Sequence, residues 1–222
     1  MRFAALETSS DWCSVALWLD GEIVSLESRA PNGHSELVLP MLHQLLEERM
    51  LKVEDLEAIA FGAGPGAFTG LRIACGVAQG LALARSLPVA PVSSFEAIAE
   101  ECGAPRVAAC IDARMHEVYY AALERTEQGW REVVPASCVP PGEAVPPPGE
   151  GWVGAGSGFA AYPDFLKGKI SGKIPDVHPT AHSVARLAAA RLAAGQGVDA
   201  ALALPTYFRD KVAFTTAELA RR

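Results

Sequence analysis

The stretch from Phe61 to Arg85, FGAGPGAFTGLRIACGVAQGLALAR, limits the possible fold more than any other part of the chain. Gly62 to Gly66 holds three glycines and one proline in five residues, a composition that interrupts strands and delays helices. The run Leu56 to Phe61 ahead of it is mostly apolar and strand-like, so the glycines predict a strand-to-helix turn. From Phe68 the pattern is helical, and the polar side chains before Arg85 are Thr69, Arg72 and Gln79. Arg72 and Gln79 are seven apart and share one line, while the remaining circumference is apolar or small. Such a helix is covered on more than one side.

The flanking segments repeat one pattern. Arg2 to Leu6 reads as a strand, Glu7 to Asp11 as a polar turn, Cys13 to Leu19 as a second strand, and Glu22 to Ser28, after the tight-turn pair Asp20-Gly21, as a third. Asn32-Gly33 breaks the chain before a helix that begins near His34 or Ser35, with Leu37, Met41 and Leu45 on one i, i+4 row and Val38, Leu42 and Leu46 on the next. Leu87 to Val92 reads as a short strand and Ser94 to Glu101 as a short helix. The meander then returns, with Val107 to Ile111, the polar turn Asp112 to His116, Val118 to Leu123, Gln128-Gly129 and Trp130 to Val134. The reading is an α/β chain made of two β-meander-plus-helix halves, residues 1–104 and 105–222. Pro135 to Gly151, with six prolines and three glycines, reads as a connector. Trp152 to Ala155 is a short strand, a helix runs from about Thr180 to Ala194, and the mixed C-terminal segment is placed against the first half.

Composition narrows the function. With 19 basic against 26 acidic residues and a net charge of −7, the chain lacks the clustered cations needed to grip nucleic acid alone. The five cysteines form no Cys-x-x-Cys pair and read as reduced thiols. MRFAALETSS has no secretion-signal pattern, and no apolar run is long enough for a bilayer, so the expectation is a soluble cytoplasmic protein.

No nucleophile–base pair stands out, and no catalytic residue is assigned. Gly64 to Gly66 precede a helix but are followed by no Lys-Ser/Thr, so they form no P-loop. His178 and His182 have metal-like spacing, yet Pro179 and Thr180 place the helix start between them and no third ligand accompanies them; no metal is expected. The stronger candidate is a partner surface. Gly70, Ala74, Ala78 and Ala82 form one row of small residues, and Gly76, Gly80 and Ala84 another, which lets a second helix approach closely. With Phe68 and Arg72 on the same helix, and His34, Leu37, Met41 and Leu45 on the earlier one, they make a helix-pair interface.

The motifs LETSS (6–10), HSELVLPML (34–42), GPGAFTGLRIA (64–74), DARMHEVYYA (112–121) and LPTYFRDKVAF (204–214) resemble the TsaB family, once called YeaZ, across nearly the whole chain. The resemblance implies a duplicated actin-like, sugar-kinase-like fold. It implies a non-catalytic subunit that partners the larger paralogue TsaD and the small ATPase TsaE, with TsaC supplying threonylcarbamoyl-adenylate. Modification would fall on the adenosine next to the anticodon, with tRNA contacted only through the complex and a homodimer formed when TsaD is absent. In such a fold the first turn (Thr8, Ser9, Ser10) and the second (Asp112, Arg114) correspond to phosphate loops, so residual ATP or ADP binding, at a subunit interface, is the cofactor expectation. The competing reading is an active superfamily member, an ATP-dependent transferase or a glycoprotease-like metallopeptidase. Against the peptidase, Ser94 and Ile98 stand where TsaD-type chains carry a His-x-x-x-His pair, and isoleucine cannot ligate a metal.

Overall fold

The computed structural model describes residues 1–209. In the first half, β1 (Arg2–Glu7), β2 (Trp12–Leu19) and β3 (Glu22–Arg29) form an antiparallel meander. The helix α1 (His34–Glu48) leads to β4 (Ala58–Gly64), and α2 (Phe68–Leu83) leads to β5 (Val89–Ser93). Both strands join in parallel, giving the sheet order β3-β2-β1-β4-β5. After α3 (Ser94–Cys102) the plan recurs with β6 (Arg106–Asp112), β7 (Val118–Thr126), β8 (Gly129–Val139), β9 (Val153–Ala155) and β10 (Gly172–Ile174). The second sheet has the order β10-β9-β6-β7-β8, which read backwards places each strand at the position of its counterpart in the first. Its crossover helix has shrunk to α4 (Gly158–Ala161), four residues where α2 has sixteen.

Strand alternation decides which side chains meet which layer. On one face of the first sheet Ala4, Leu6, Val15, Ile59 and Phe61 pack against α1 and α2. On the other, Phe3, Ala5, Ala16, Ala58 and Ala60 pack against α5 (Ala181–Ala193), a helix from near the chain's end. The first half is thus covered on both faces, and α3 lies against β6 and β7 of the second.

Two boundaries differ from the sequence reading. Strand β4 runs on through Gly62 to Gly64, although the glycines were expected to end it. It continues because Gly62 and Gly64 still pair with Val92 and Ser93 of β5, and the Glu7 carboxyl of β1 fills the space over Gly62. The connector expected from Pro135 begins only after Val139, since residues 135–139 extend β8. Edge position and the register shifts opposite Tyr120 and Ala122 let Pro135 sit in this strand. The last residues of the LPTYFRDKVAF motif, 210–214, and the tail after them lie outside the described residues. Among the described residues no helix is long and apolar enough to cross a membrane.

Candidate functional site

The β1–β2 turn and the β6–β7 turn meet across a cleft of about 600 Å³. Ser9, Ser10 and Trp12 line it from the first half, Asp112, Arg114 and Tyr119 from the second, and residues 175–179 complete the wall. Four of the five nucleotide candidates, Ser9, Ser10, Asp112 and Arg114, are therefore brought together. The fifth is not: Thr8 is buried, and its hydroxyl donates to the Gly70 carbonyl at 2.7 Å.

Several polar groups of both turns are engaged within the chain. The Ser9 amide donates to Glu7 Oε1 at 2.5 Å, and the Trp12 amide to the Ser10 hydroxyl at 3.2 Å. Ser9 Oγ lies 3.2 Å from Ser94 Oγ. Arg114 forms an ion pair with Asp112 at 3.1 Å. Arg114, Met115 and His116 all take left-handed backbone conformations, with φ of 60°, 56° and 63°, so no small glycine loop is present to wrap a phosphate. A carboxyl lies beneath the first turn. Neither turn, Thr8 to Asp11 or Ala113 to Glu117, contains a glycine.

That carboxyl belongs to Glu7, fully buried, with Oε2 lacking a hydrogen-bond partner among the described residues. Burial pushes its pKa up to about 7 and outweighs the hydrogen bonds from Ser9 that favour the anion. A neighbouring contact crosses to the loop after β10. The His178 ring stacks on Trp12 with centroids 4.9 Å apart and an interplanar angle of 6°, and its Nε2 lies 3.1 Å from Glu27 Oε2. Burial works against the charged imidazole, but the Glu27 hydrogen bond, the Asp176 carbonyl and nearby carboxylate charge outweigh it and raise the pKa. His182 instead lies 3.1 Å from Arg186, so the two histidines are engaged separately. Among the described residues no group of three or more His, Cys, Asp or Glu side chains could hold a metal ion. Ser94 and Ile98 are both buried, the first against Ser9 and the second in the apolar layer between α3 and the second sheet.

The expected partner surface divides in two. Gly70, Ala74 and Ala78 face inward, so this row of small residues serves the chain's own packing. A Cβ on Gly70 would overlap the Thr8 carbonyl, which shows why the row is small. Met41 and Leu45 are likewise buried in the core beneath α1 and α2. His34 is buried too; desolvation lowers its pKa, and Nδ1 has no partner among the described residues. These six residues are withdrawn from the surface that sequence spacing assigned to them. What remains outside is Phe68, Arg72, Gly76 and Gly80 on α2, joined by Leu83, with Leu37 half-buried on α1. Among the described residues nothing lies within 4 Å of a Cβ built on Gly76 or Gly80. The Arg72 guanidinium sits 3.8 Å over the Phe68 ring, and its Nε donates to the Tyr207 hydroxyl at 3.1 Å.

Sequence reasoning gave no role to Trp12, Tyr207 or Arg209, placed Glu7 only in the polar first turn, and weighed His178 only as a metal ligand. An acidic residue closing an apolar strand was the one available signal for Glu7; the others depend on contacts between distant segments.

Two five-stranded sheets of matching order, with their first turns facing across one cleft, define a duplicated α/β fold of the actin-like, sugar-kinase-like type. The family model described as TsaD, tRNA N6-adenosine threonylcarbamoyltransferase, matches residues 28–215. The chain is 38% identical to the tRNA threonylcarbamoyladenosine biosynthesis protein TsaB of Escherichia coli (strain K12), covering 96% of this chain and 97% of that one. It is 34% identical to the TsaB protein of Haemophilus influenzae over 96% and 95% of the two chains. YeaZ from Pseudomonas aeruginosa superimposes with a TM-score of 0.87 at 40% identity, covering 93% of this chain and 99% of that one. A second Pseudomonas aeruginosa structure, described as an uncharacterized protein with similarity to peptidase YEAZ, gives 0.88 at 40% identity, over 94% and 99%. The chain belongs to the TsaB (YeaZ) family.

Proposed function

We propose that this chain is a non-catalytic subunit in tRNA threonylcarbamoyladenosine biosynthesis, and that it acts by docking a larger TsaD-type paralogue through the outer face of α2. The supporting observation is the exposed line of Phe68, Arg72, Gly76, Gly80 and Leu83. Its two glycines let a partner helix come close, while Phe68 and Leu83 offer apolar surface on either side. In this reading TsaD carries the transfer chemistry, TsaE and TsaC supply the ATPase and the threonylcarbamoyl-adenylate, and tRNA is met only through the cytoplasmic complex. Without TsaD the same face pairs two copies of this chain. The self-engaged turns favour this over a nucleotide-turning enzyme, and any ATP or ADP would be held at a subunit interface. Ser94 and Ile98 speak against the metallopeptidase reading in the same way.

Reconstitution of tRNA modification with and without this chain tests the proposal. Modification should rise only when TsaD is present, and the chain alone should show neither metal-dependent proteolysis nor ATP turnover. Full modification without the chain, or turnover by the chain alone, would refute it.

A further inference from the structure

Residues Thr206 to Arg209 belong to neither sheet, yet they touch both halves. The Thr206 amide donates to the Ala63 carbonyl near the end of β4 at 2.8 Å. The Tyr207 ring lies 5.4 Å from that of Phe68 at the head of α2, and the Phe208 ring meets Phe95 of α3 edge-on at 6.1 Å. Arg209 then reaches the second half. Its Nη1 donates to the Ala113 carbonyl at 3.0 Å, its Nη2 pairs with Glu117, and its guanidinium lies 5.8 Å from the Tyr119 ring.

Ala113 and Glu117 are the two ends of the second turn, joined by a hydrogen bond from the Ala113 amide to the Glu117 carbonyl at 3.1 Å. Between them lie the three left-handed residues Arg114 to His116, a costly backbone path that persists only when its surroundings hold it. Arg209 supplies such a hold. A planar guanidinium fixes several acceptors at once, and its side chain is only 14% exposed, so water screens the Glu117 pair weakly.

We propose that Thr206–Arg209 is a strap that keeps the two halves closed over the cleft, fastened to the first half by Thr206 and Tyr207, to the seam between the halves by Phe208, and to the second half by Arg209. Two-lobed α/β folds admit ligands by hinge motion. Here a segment of the chain itself bridges the two halves beside the cleft, so the cleft widens on this side only when Arg209 leaves the second turn, while α3 stays packed on β6 and β7. The contact of His178 with Trp12 and Glu27 is a separate tie across the same cleft. The proposal does not depend on the docking role of α2.

The test compares the full-length wild type with Arg209→Ala and Glu117→Gln by amide hydrogen exchange and small-angle X-ray scattering. The expected result is exchange at least tenfold faster at Thr206 and Glu117, no change in the central strands of either sheet, and a larger radius of gyration. Should Arg209→Ala not fold, Glu117→Gln decides, because it removes one charge and keeps the side-chain shape. An unchanged radius of gyration or unchanged Thr206 exchange in a cooperatively melting variant overturns the strap. So does exchange that speeds up equally throughout both sheets, which would make Arg209 a general stabiliser.

Discussion

The Glu7 carboxyl lies where a side chain on Gly62 would begin, so each of these two residues requires the other to be what it is. Strand pairing sets this up: Leu6 stands opposite Phe61, and the next pair on the neighbouring strands brings Glu7 over Gly62. Replacing Gly62 by Ala should therefore cost about 2 kcal/mol or more through overpacking against a fixed carboxyl. In Glu7→Ala the same substitution should cost far less. A double-mutant cycle by denaturant unfolding checks this, and costs that add to within about 0.5 kcal/mol would deny the coupling.

Glu7 also makes stability depend on pH. Its carboxyl titrates at about 7 when folded against 4.5 in its ordinary state, so the folded chain holds a proton that the unfolded chain releases. Its contribution is full below pH 4.5, declines as pH rises from 4.5 to about 7, and is flat above; the total change is about 3 kcal/mol. Glu7→Gln should remove that decline. Urea midpoints of both proteins at pH 4.5, 6 and 8 measure it, and parallel profiles would contradict the burial argument.

His178 adds a second dependence at higher pH. The folded state raises its pKa above 6.5, so its pairing with Glu27 contributes fully below pH 6.5 and is lost as pH rises through the folded value. Glu27→Gln should lower the His178 pKa. NMR titration of the ring protons reads this directly, and an unmoved pKa would mean that the observed contact is idle in solution.

On α2, neighbouring positions separate folding from docking. Gly76→Leu enters open space on an exposed helix, so the fold should hold or gain about 0.5–1 kcal/mol in helix propensity. Affinity for the TsaD-type partner should nevertheless fall at least tenfold. Ala78→Glu reports on something else, because Ala78 is fully buried and a carboxylate there breaks the core. Thermal melts and titration calorimetry distinguish the two; undiminished binding by Gly76→Leu would place the docking face elsewhere.

Local patterns carried most of the fold. Alternation and turn residues marked both meanders, and Asn32-Gly33 marked the start of α1 at His34. The side-by-side repeat made the duplication readable before any contact was known. Periodicity could not tell which row of small residues on α2 faces inward, because Gly70-Ala74-Ala78 and Gly76-Gly80 look alike in sequence. What distinguishes them is the Thr8 carbonyl pressed against Gly70, a contact across 62 residues. The site was legible to the same degree: its turns were located, but the Glu7–Gly62 fit, the His178 stack and the reach of Arg209 arise only when remote segments meet.

The placement of α5 bears on how the chain acquires its structure. Phe3, Ala5, Ala58 and Ala60 come early, yet the helix that shields them spans Ala181–Ala193. During synthesis the first sheet must wait, with one apolar face bare, until almost the whole second half has been made. Contacts so distant in sequence slow folding and lengthen the interval in which that face can stick to other molecules. The two halves are duplicates in architecture, but they are not independent folding units.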